Sequence, residues 1–306
     1  MYQAPISYLK RLRADLATML QKMPKSYFNE FIKTIPMDSD KEEFWFPGAV
    51  TGFEEWLNEI SYTGFKDYML TIRNKHYQKG LMLNRDWLSD AKSTAIGTKI
   101  EGFVKDIAKK YISFPDKKCQ ALLEANSVAF DNTAMFATSR PNLFTGSNTI
   151  CNLETGTLST AYTTSTFSDD YEDAEQLLLE MKDSDDTPFN EAPKIIAFVP
   201  VHLKGIAETV LGAKMSTYID AATSAQVSNK YAGMAEIQIN YRQANSDNDW
   251  YLINANADYP AFIKGDRQGI KSHMKDDEES KDLKYWSEFR LGVGFLNPMS
   301  IVKINN

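Results

Sequence analysis

Residues 44–83 read FWFPGAVTGFEEWLNEISYTGFKDYMLTIRNKHYQKGLML, and residues 86–111 read DWLSDAKSTAIGTKIEGFVKDIAKKY. The first segment is rich in Trp, Phe and Tyr, and it alternates between apolar and polar residues over Lys66–Ile72 and His76–Leu83. Alternation of this kind predicts two strands, and Asn74-Lys75 between them is a turn signal. We therefore expect a long β-hairpin, which must lie on its own domain or on a neighbouring subunit because isolated hairpins are marginally stable.

The second segment has the period of a helix. Its apolar residues from Leu88 to Tyr111 fall on one face, and Asp86 is a suitable N-cap. We predict one long amphipathic helix that ends before Pro115, followed by a second helix capped by Asp116.

The rest of the chain predicts an α+β arrangement. A third helix is expected to begin at Ser168 or Asp169, and a buried strand at Lys194–Pro200 leads into a helix that Pro200 opens. Alternation predicts further strands at 236–241, 250–254 and 260–264, and a closing strand pair within 285–304. The charged run 275–284 is expected to be a solvated loop.

The N-terminal region divides into two parts. Residues 8–23 have an amphipathic helical pattern, and residues 24–40 are expected to be irregular and extended. This arrangement suits an arm that docks on a neighbouring subunit, and it equally suits an ordinary first helix of the domain.

The composition is that of a globular chain. With 306 residues, 43% apolar and 25% charged, it can form one large domain or two lobes around a sizeable core. The net charge of −7 argues against a main role in gripping nucleic acid, although it does not exclude enclosing it. Cys119 and Cys151 form no CxxC motif and favour synthesis in a reducing cytosol. We find no apolar run that predicts a membrane span.

The residue patterns predict no catalytic residue, no cofactor-binding residue and no metal ligand. His76, His202 and His273 lie far apart in sequence and have no metal-binding spacing. The acidic residues within 245–249 lack the rest of a calcium loop and are better explained as a polar turn. We therefore expect a scaffold with an aromatic segment rather than an enzyme.

The order of these segments, over about residues 44–300, resembles the Mu-like phage major head subunit (gene product T) family. A first group of matching residues consists of Asn74, Lys75, Tyr77, Arg85 and Asp86. A second, looser group consists of Phe130, Asp131, Asn132, Met135 and Phe136. Further matches are TFSDDYEDAEQLLLEMKDSDD, APKIIAFVPVHLKGIAETVLG, and Trp250-Tyr251-Leu252 followed by Pro260. The sequence departs from the family where Arg140-Pro141 stands in place of His-Pro.

The resemblance implies an α+β, Hong Kong 97 (HK97)-like phage capsid fold. The division that it implies is an N-terminal arm (1–40), an extended β-hairpin loop that overlaps a neighbour (41–84), a peripheral domain with a long spine helix (85–190), an axial domain (191–281) and return strands of the peripheral domain (282–306).

The function that the resemblance implies is that of a major capsid protein. Such a protein assembles with itself into hexamers and pentamers that form the icosahedral head of a tailed phage, and it encloses double-stranded DNA without sequence-specific binding. Its expected location is the virion, after assembly in the host cytoplasm, with no membrane partner. Scaffold, portal and decoration proteins are further partners that the sequence leaves open. The predicted inter-subunit contacts are aromatic: Trp45, Phe53, Trp56, Phe65, Tyr68 and Tyr77.

Two alternatives remain open from the sequence. The same fold would serve an encapsulin-like nanocompartment shell that encloses a cargo enzyme. From a different class, a carbohydrate-binding or hydrolytic protein could use the aromatic segment 44–65 as a ligand site.

Overall fold

A computed structural model describes residues 16, 18, 20–22, 27–47, 67–84, 93–141, 149–156, 163–182, 187–212, 215–219, 226–244, 248–276 and 282–306. Its helices are α1 (Ser93–Ile112), α2 (Phe114–Ala125), α3 (Thr164–Glu180) and α4 (Lys204–Ala207), with 3₁₀ turns at Tyr27–Glu30, Val201–Leu203 and Pro298–Ser300 and a π-helical turn at Glu208–Gly212. No described helix is long and apolar enough to span a membrane.

The longer described strands are β1 (Ile32–Pro36), β2 (Lys41–Pro47), β3 (Asp67–Arg73), β4 (Lys75–Leu83), β8 (Ile195–Pro200), β11 (Glu236–Asn240), β12 (Trp250–Asn254), β13 (Phe262–Asp276), β14 (Leu283–Phe295) and β15 (Ile301–Asn305). The shorter ones are β5 (Arg140–Pro141), β6 (Thr149–Ile150), β7 (Leu153–Thr155), β9 (Met215–Ile219) and β10 (Gln226–Ser228).

A five-stranded sheet, in the order β11-β8-β12-β15-β7, forms the centre of the fold. All six residues of β8 and all five of β12 are buried. A strand covered on both faces reads as a continuous apolar run, and this explains the unbroken sequence IIAFVP in β8.

Alternate residues of this sheet feed two separate cores. Ala197, Trp250 and Leu252 pack on one face with residues of α3 and of the helical segment 201–212. Phe198 and Tyr251 pack on the other face with Phe28, Phe31 and residues of α2. The aromatic rings of Phe28 and Phe198 meet edge to face, with centroids 5.1 Å apart, so the second core is tightly interlocked.

A four-stranded sheet, in the order β1-β13-β14-β4, carries the long helix α1 on one face. Val104, Ile107 and Ala108 of α1 are buried against Leu83 and Tyr285 of the sheet, together with Leu16 from the N-terminal helical residues. The described part of the N-terminal helix therefore packs on its own subunit.

The strand pairing corrects three predictions. β3 and β4 do not form a hairpin with each other, because β3 pairs with β2 and β4 pairs with β14. The region 24–40 is not wholly irregular, since β1 pairs in parallel with β13. The last two strands do not pair, because β14 joins the four-stranded sheet and β15 joins the five-stranded sheet.

The helix starts are corrected as well. α3 begins at Thr164, ahead of the predicted Ser168 or Asp169, because Thr163 and Thr166 form a capping box through reciprocal side-chain hydrogen bonds. α2 begins at Phe114, with Pro115 inside its first turn, where the missing N–H is not needed. The predicted cap Asp86 lies outside the described residues, whereas the predicted strands at 194–200, 236–241 and 250–254 are confirmed.

We expect Phe198→Ala to lower the free energy of unfolding by about 3–5 kcal/mol, because it opens a cavity between Phe28, Phe31 and Tyr251. Leu179→Ala is the control, since Leu179 is 41% exposed and its truncation should have a much smaller effect. Urea denaturation followed by circular dichroism measures both. Equal destabilisation of the two variants would contradict this description of the core.

Candidate functional site

Asn74 lies at the point where one extended chain changes its hydrogen-bonding partner. Before Asn74 the chain is β3 and pairs with β2, and after it the chain is β4 and pairs with β14. The side-chain Nδ2 of Asn74 donates to the carbonyl oxygens of Ser39 and Asp40 at 2.7 Å and 2.9 Å, and its backbone N–H donates to Asp40 O at 3.0 Å. The predicted turn residue is therefore a buried clamp that ties the base of the β2–β3 hairpin to the start of β2.

The base of this hairpin crosses directly over β14. A Cβ atom on Gly292 would lie 2.6 Å from the carbonyl oxygen of Arg73, and one on Gly294 would lie 2.8 Å from Cδ1 of Ile72. Only glycine permits such a close approach between backbones. The pair Gly292 and Gly294 therefore gives the hairpin a fixed seat on the four-stranded sheet, and Ile72 is buried there with Phe130 and Leu296.

The predicted contact residues fall into three groups. Trp45 and Tyr68 lie in β2 and β3, where their backbones pair with Met69 and Phe46. Phe53, Trp56 and Phe65 lie outside the described residues. Tyr77 is half-buried within its own subunit, with its ring centroid 4.5 Å from that of Phe114 and 5.4 Å from that of Phe289. The contact role of all six residues stays a prediction.

A buried ion pair holds the segment that resembles the family's turn after the helix. Nη1 of Arg140 lies 2.6 Å from Oδ2 of Asp131, and each side chain is 1% exposed. Arg140 also donates to the carbonyl oxygens of Ala134 and Met135. Burial lowers the pKa of Arg140, and the Asp131 carboxylate opposes that shift. Arg140 therefore organises the turn from inside.

Polar side chains join the five-stranded sheet to the helix pair. Nδ2 of Asn240, at the end of β11, donates to Oε1 of Gln120 in α2 at 2.8 Å. Nη2 of Arg242 donates at 3.0 Å to the carbonyl oxygen of Ser113, the residue between α1 and α2. Hydrogen bonds thus tie α2 and the junction between the two helices to the end of the five-stranded sheet, while α1 packs on the four-stranded sheet.

Sequence reasoning missed a cluster on the face of the four-stranded sheet that α1 does not cover. Glu288 on β14 lies between two histidines, with 3.3 Å from its Oε2 to Nε2 of His76 and 3.3 Å from its Oε1 to Nε2 of His273. The His273 ring stacks on Trp286 with centroids 5.3 Å apart. The alternation of residues within one strand indicates which of them share a face of the sheet. It does not indicate that β4, β14 and β13 are neighbours, and the cluster was missed for that reason.

The described residues hold no group of three His, Cys, Asp or Glu that could bind a metal ion. Asn248 and Asp249, from the acidic run considered above, instead bind within the subunit. Oδ1 of Asn248 lies 2.6 Å from Nε2 of His202, and Oδ2 of Asp249 lies 2.5 Å from Nζ of Lys303.

Two family models match the chain. The model described as phage capsid protein matches residues 99–304, and the model of the Mu-like prophage major head subunit gpT matches residues 9–166. Each match spans more than half of the 306 residues. This chain belongs to the phage capsid protein family. The resemblance to Mu-like head subunits that its sequence indicated is confirmed, and the protein is a major capsid protein of the tailed-phage type.

Solved structures give the fold of this capsid protein. It is similar to the subunit in the procapsid of bacteriophage JBD30, with a TM-score of 0.54 and 14% identity over 100% of this chain and 76% of that chain. It is similar to the virus-like particle from Pyrococcus furiosus, with a TM-score of 0.55 and 12% identity over 98% of this chain and 100% of that chain. It is also similar to the capsid of cyanophage P-SCSP1u, with a TM-score of 0.53 and 10% identity over 91% and 87% of the two chains.

These likenesses confirm the predicted α+β, HK97-like capsid fold. No curated protein sequence matches the capsid protein. Within this fold, the close contact at Gly292 and Gly294 and the clamp at Asn74 fix the base of the β2–β3 hairpin against the four-stranded sheet.

We expect Gly292→Ala to destabilise the capsid protein by about 1–3 kcal/mol, because the added methyl meets the backbone of Arg73. Gly102→Ala is a matched control in α1, where a Cβ meets no atom within 4 Å. That change should be neutral or should stabilise by up to about 1 kcal/mol, since alanine favours helix. Thermal unfolding of both variants tests the close crossing, and an unchanged melting temperature for Gly292→Ala would contradict it.

Proposed function

We propose that this capsid protein assembles with itself into pentamers and hexamers of an icosahedral head that encloses double-stranded DNA. The observation that carries the proposal is the clamped β2–β3 hairpin, which leaves the four-stranded sheet at a fixed position. A hairpin needs an apolar surface to lie on. A neighbouring copy supplies such a surface in a closed shell, where one chain repeats around the symmetry axes.

The proposed division of labour follows the predicted domains. Residues 1–40 act as an arm, and residues 41–84 as the extended loop that lies over a neighbour. Residues 85–190 form the peripheral domain, residues 191–281 form the axial domain at the five-fold and six-fold axes, and residues 282–306 return to the peripheral domain. The buried contacts of α1 with the four-stranded sheet, and of Asn240 with Gln120, support a rigid body for the proposed peripheral domain.

The proposed role is structural rather than catalytic, as membership of a capsid family implies. The net charge of −7 suits a container that encloses DNA without gripping it, because tight phosphate binding would need clustered cations. Assembly in the host cytoplasm, and additional scaffold, portal and decoration proteins, complete the proposal. Trp45, Phe53, Trp56, Phe65, Tyr68 and Tyr77 are the proposed aromatic contacts between subunits.

The nanocompartment shell is the second candidate, favoured by the likeness to the Pyrococcus furiosus virus-like particle over all of that chain. The contents of purified particles separate the two functions. Nuclease-protected DNA supports the phage head, and one abundant co-purifying enzyme supports the compartment.

Shortening the hairpin tests the proposed role of the extended loop. Pro47 and Asp67 pair directly across the hairpin, so an Asn-Gly turn can replace residues 48–66 without changing the strand register. The shortened chain should keep its melting temperature and fail to form particles, because the segment proposed to cross onto a neighbour is gone. Analytical ultracentrifugation measures this, with the full chain as control. Particles of normal size from the shortened chain would refute the role of the loop.

A further inference from the structure

The four-stranded sheet has one face against α1 and one open face. Paired residues of antiparallel strands point to the same side of a sheet. The register places Trp286 between Gly80 and His273, and Glu288 between Gln78 and Lys271. The next residues along β14, Tyr285 and Ser287, are 2% and 3% exposed beneath α1. The even-numbered residues from 284 to 290 therefore lie on the open face.

This open face is basic in an acidic chain. Alternation and register bring four cations onto it from β13 and β14: Lys271, Lys275, Lys284 and Arg290. Among the described residues of this patch, which comprises 76–82 of β4, 271–275 of β13 and 284–290 of β14, Glu288 is the one carboxylate on that face. The whole chain carries a net charge of −7, so the basic patch is a local reversal of sign.

Glu288 is held between the two histidines of the patch. Desolvation raises its pKa, but the charges of His273 and His76 and hydrogen bonds from Gln268 and His76 outweigh that effect and lower the pKa overall. Lys271, Lys275 and Lys284 surround His273 along β13 and β14, and Arg290 is paired with His76. At neutral pH the negative charge of Glu288 neutralises part of the positive charge of the patch. Positive charges on His76 and His273 would in turn neutralise the charge of Glu288.

The patch also has an apolar platform. Trp286 stacks on the His273 ring with an interplanar angle of 22°. Gly80 pairs with Trp286 and has no side chain that could lie over the indole. Met82 on the same strand is 62% exposed. Cations around a partly exposed aromatic ring and an exposed apolar side chain fit a segment that carries both carboxylates and aromatic rings.

The chain contains such a segment. Residues 52–59 read GFEEWLNE, with three Glu, one Phe, one Trp and no Lys or Arg. These residues lie between β2 and β3 in the sequence. Ile72 of β3 lies against both Gly292 and Gly294, whereas Leu70, two residues earlier in β3, lies against Gly294. From Ile72 to Leu70 the strand therefore becomes more distant from residues 284–290 of β14. β3 therefore runs away from the basic patch of its own subunit.

We propose that the basic patch is the docking face for residues 52–59 of a second copy, and that His76 and His273 make this docking stronger as the pH falls. The inference rests on the proposed assembly and names the partner and the regulation of one contact in it. Histidine is the side chain whose ordinary titration falls between about pH 5 and 8. When both histidines are protonated, the patch attracts Glu54, Glu55 and Glu59 more strongly.

The three histidines of the chain provide a matched test of the pH response. The double variant His76→Asn with His273→Asn removes both groups, each of which is partly exposed, so that the fold should persist. His202→Asn is the control, since His202 binds Asn248 and lies outside the patch. Light scattering should show faster assembly of the unaltered protein at pH 5.5 than at pH 7.5. The control should keep this difference, and the double variant should lose most of it.

The outcomes separate this inference from the proposed function. If the unaltered protein forms no particles at either pH, the proposed assembly fails. If it assembles and the double variant responds to pH as the unaltered protein does, the role of the histidines is refuted. Glu288→Gln gives an independent check, because removal of the carboxylate should accelerate assembly at pH 7.5.

A charge exchange tests the identity of the docked segment. Lys271→Glu with Lys275→Glu should prevent assembly, and so should Glu54→Lys with Glu55→Lys, because each change places like charges across the contact. Combining all four substitutions should restore assembly at least in part. If each pair blocks assembly and the combination does not restore it, residues 52–59 dock elsewhere. Circular dichroism of each variant confirms that the subunit is folded.

Discussion

Burial of the five-stranded sheet on both faces is the constraint on which the rest of the subunit depends. The alternate residues of its strands form two apolar faces, and each face must be covered by other apolar residues. The residues that cover them come from distant parts of the chain. α3 and the helical segment 201–212 cover one face, while α2 and the aromatic residues Phe28 and Phe31 cover the other. Once both covers are in place, the sheet is a rigid body, and hydrogen bonds from Asn240 and Arg242 tie it to Gln120 of α2 and to Ser113, which follows α1.

The second sheet brings the long helix and the base of the hairpin together. Strand β14 of this sheet has three partners. The helix α1 packs on one of its faces, the base of the hairpin crosses it at Gly292 and Gly294, and β4 pairs along its edge. At Asn74 the extended chain changes from β3, which pairs with β2 in the hairpin, to β4, which pairs with β14 in the four-stranded sheet. A small number of contacts thus fixes the position of the hairpin base.

The sequence was sufficient for elements with strong local signals. The period of α1 and the apolar run of β8 predicted a helix and a buried strand that the structure confirms. The order of motifs also predicted the capsid family, which the family models confirm. Failures arose where tertiary pairing decides. Asn74 has the signature of a turn residue, yet it is a buried clamp because its amide bonds to Ser39 and Asp40. The cluster around Glu288 could not be predicted for the same reason, because the sequence does not show which strands are neighbours in a sheet.

Electron cryo-microscopy of particles formed by the purified chain tests the central claim most directly. The account predicts a closed icosahedral shell in which the β2–β3 hairpin of each subunit leaves across Gly292 and Gly294 and lies over the four-stranded sheet of a neighbour. A shell in which the hairpin folds back onto its own subunit, or a protein that remains as single subunits under all assembly conditions, would contradict it.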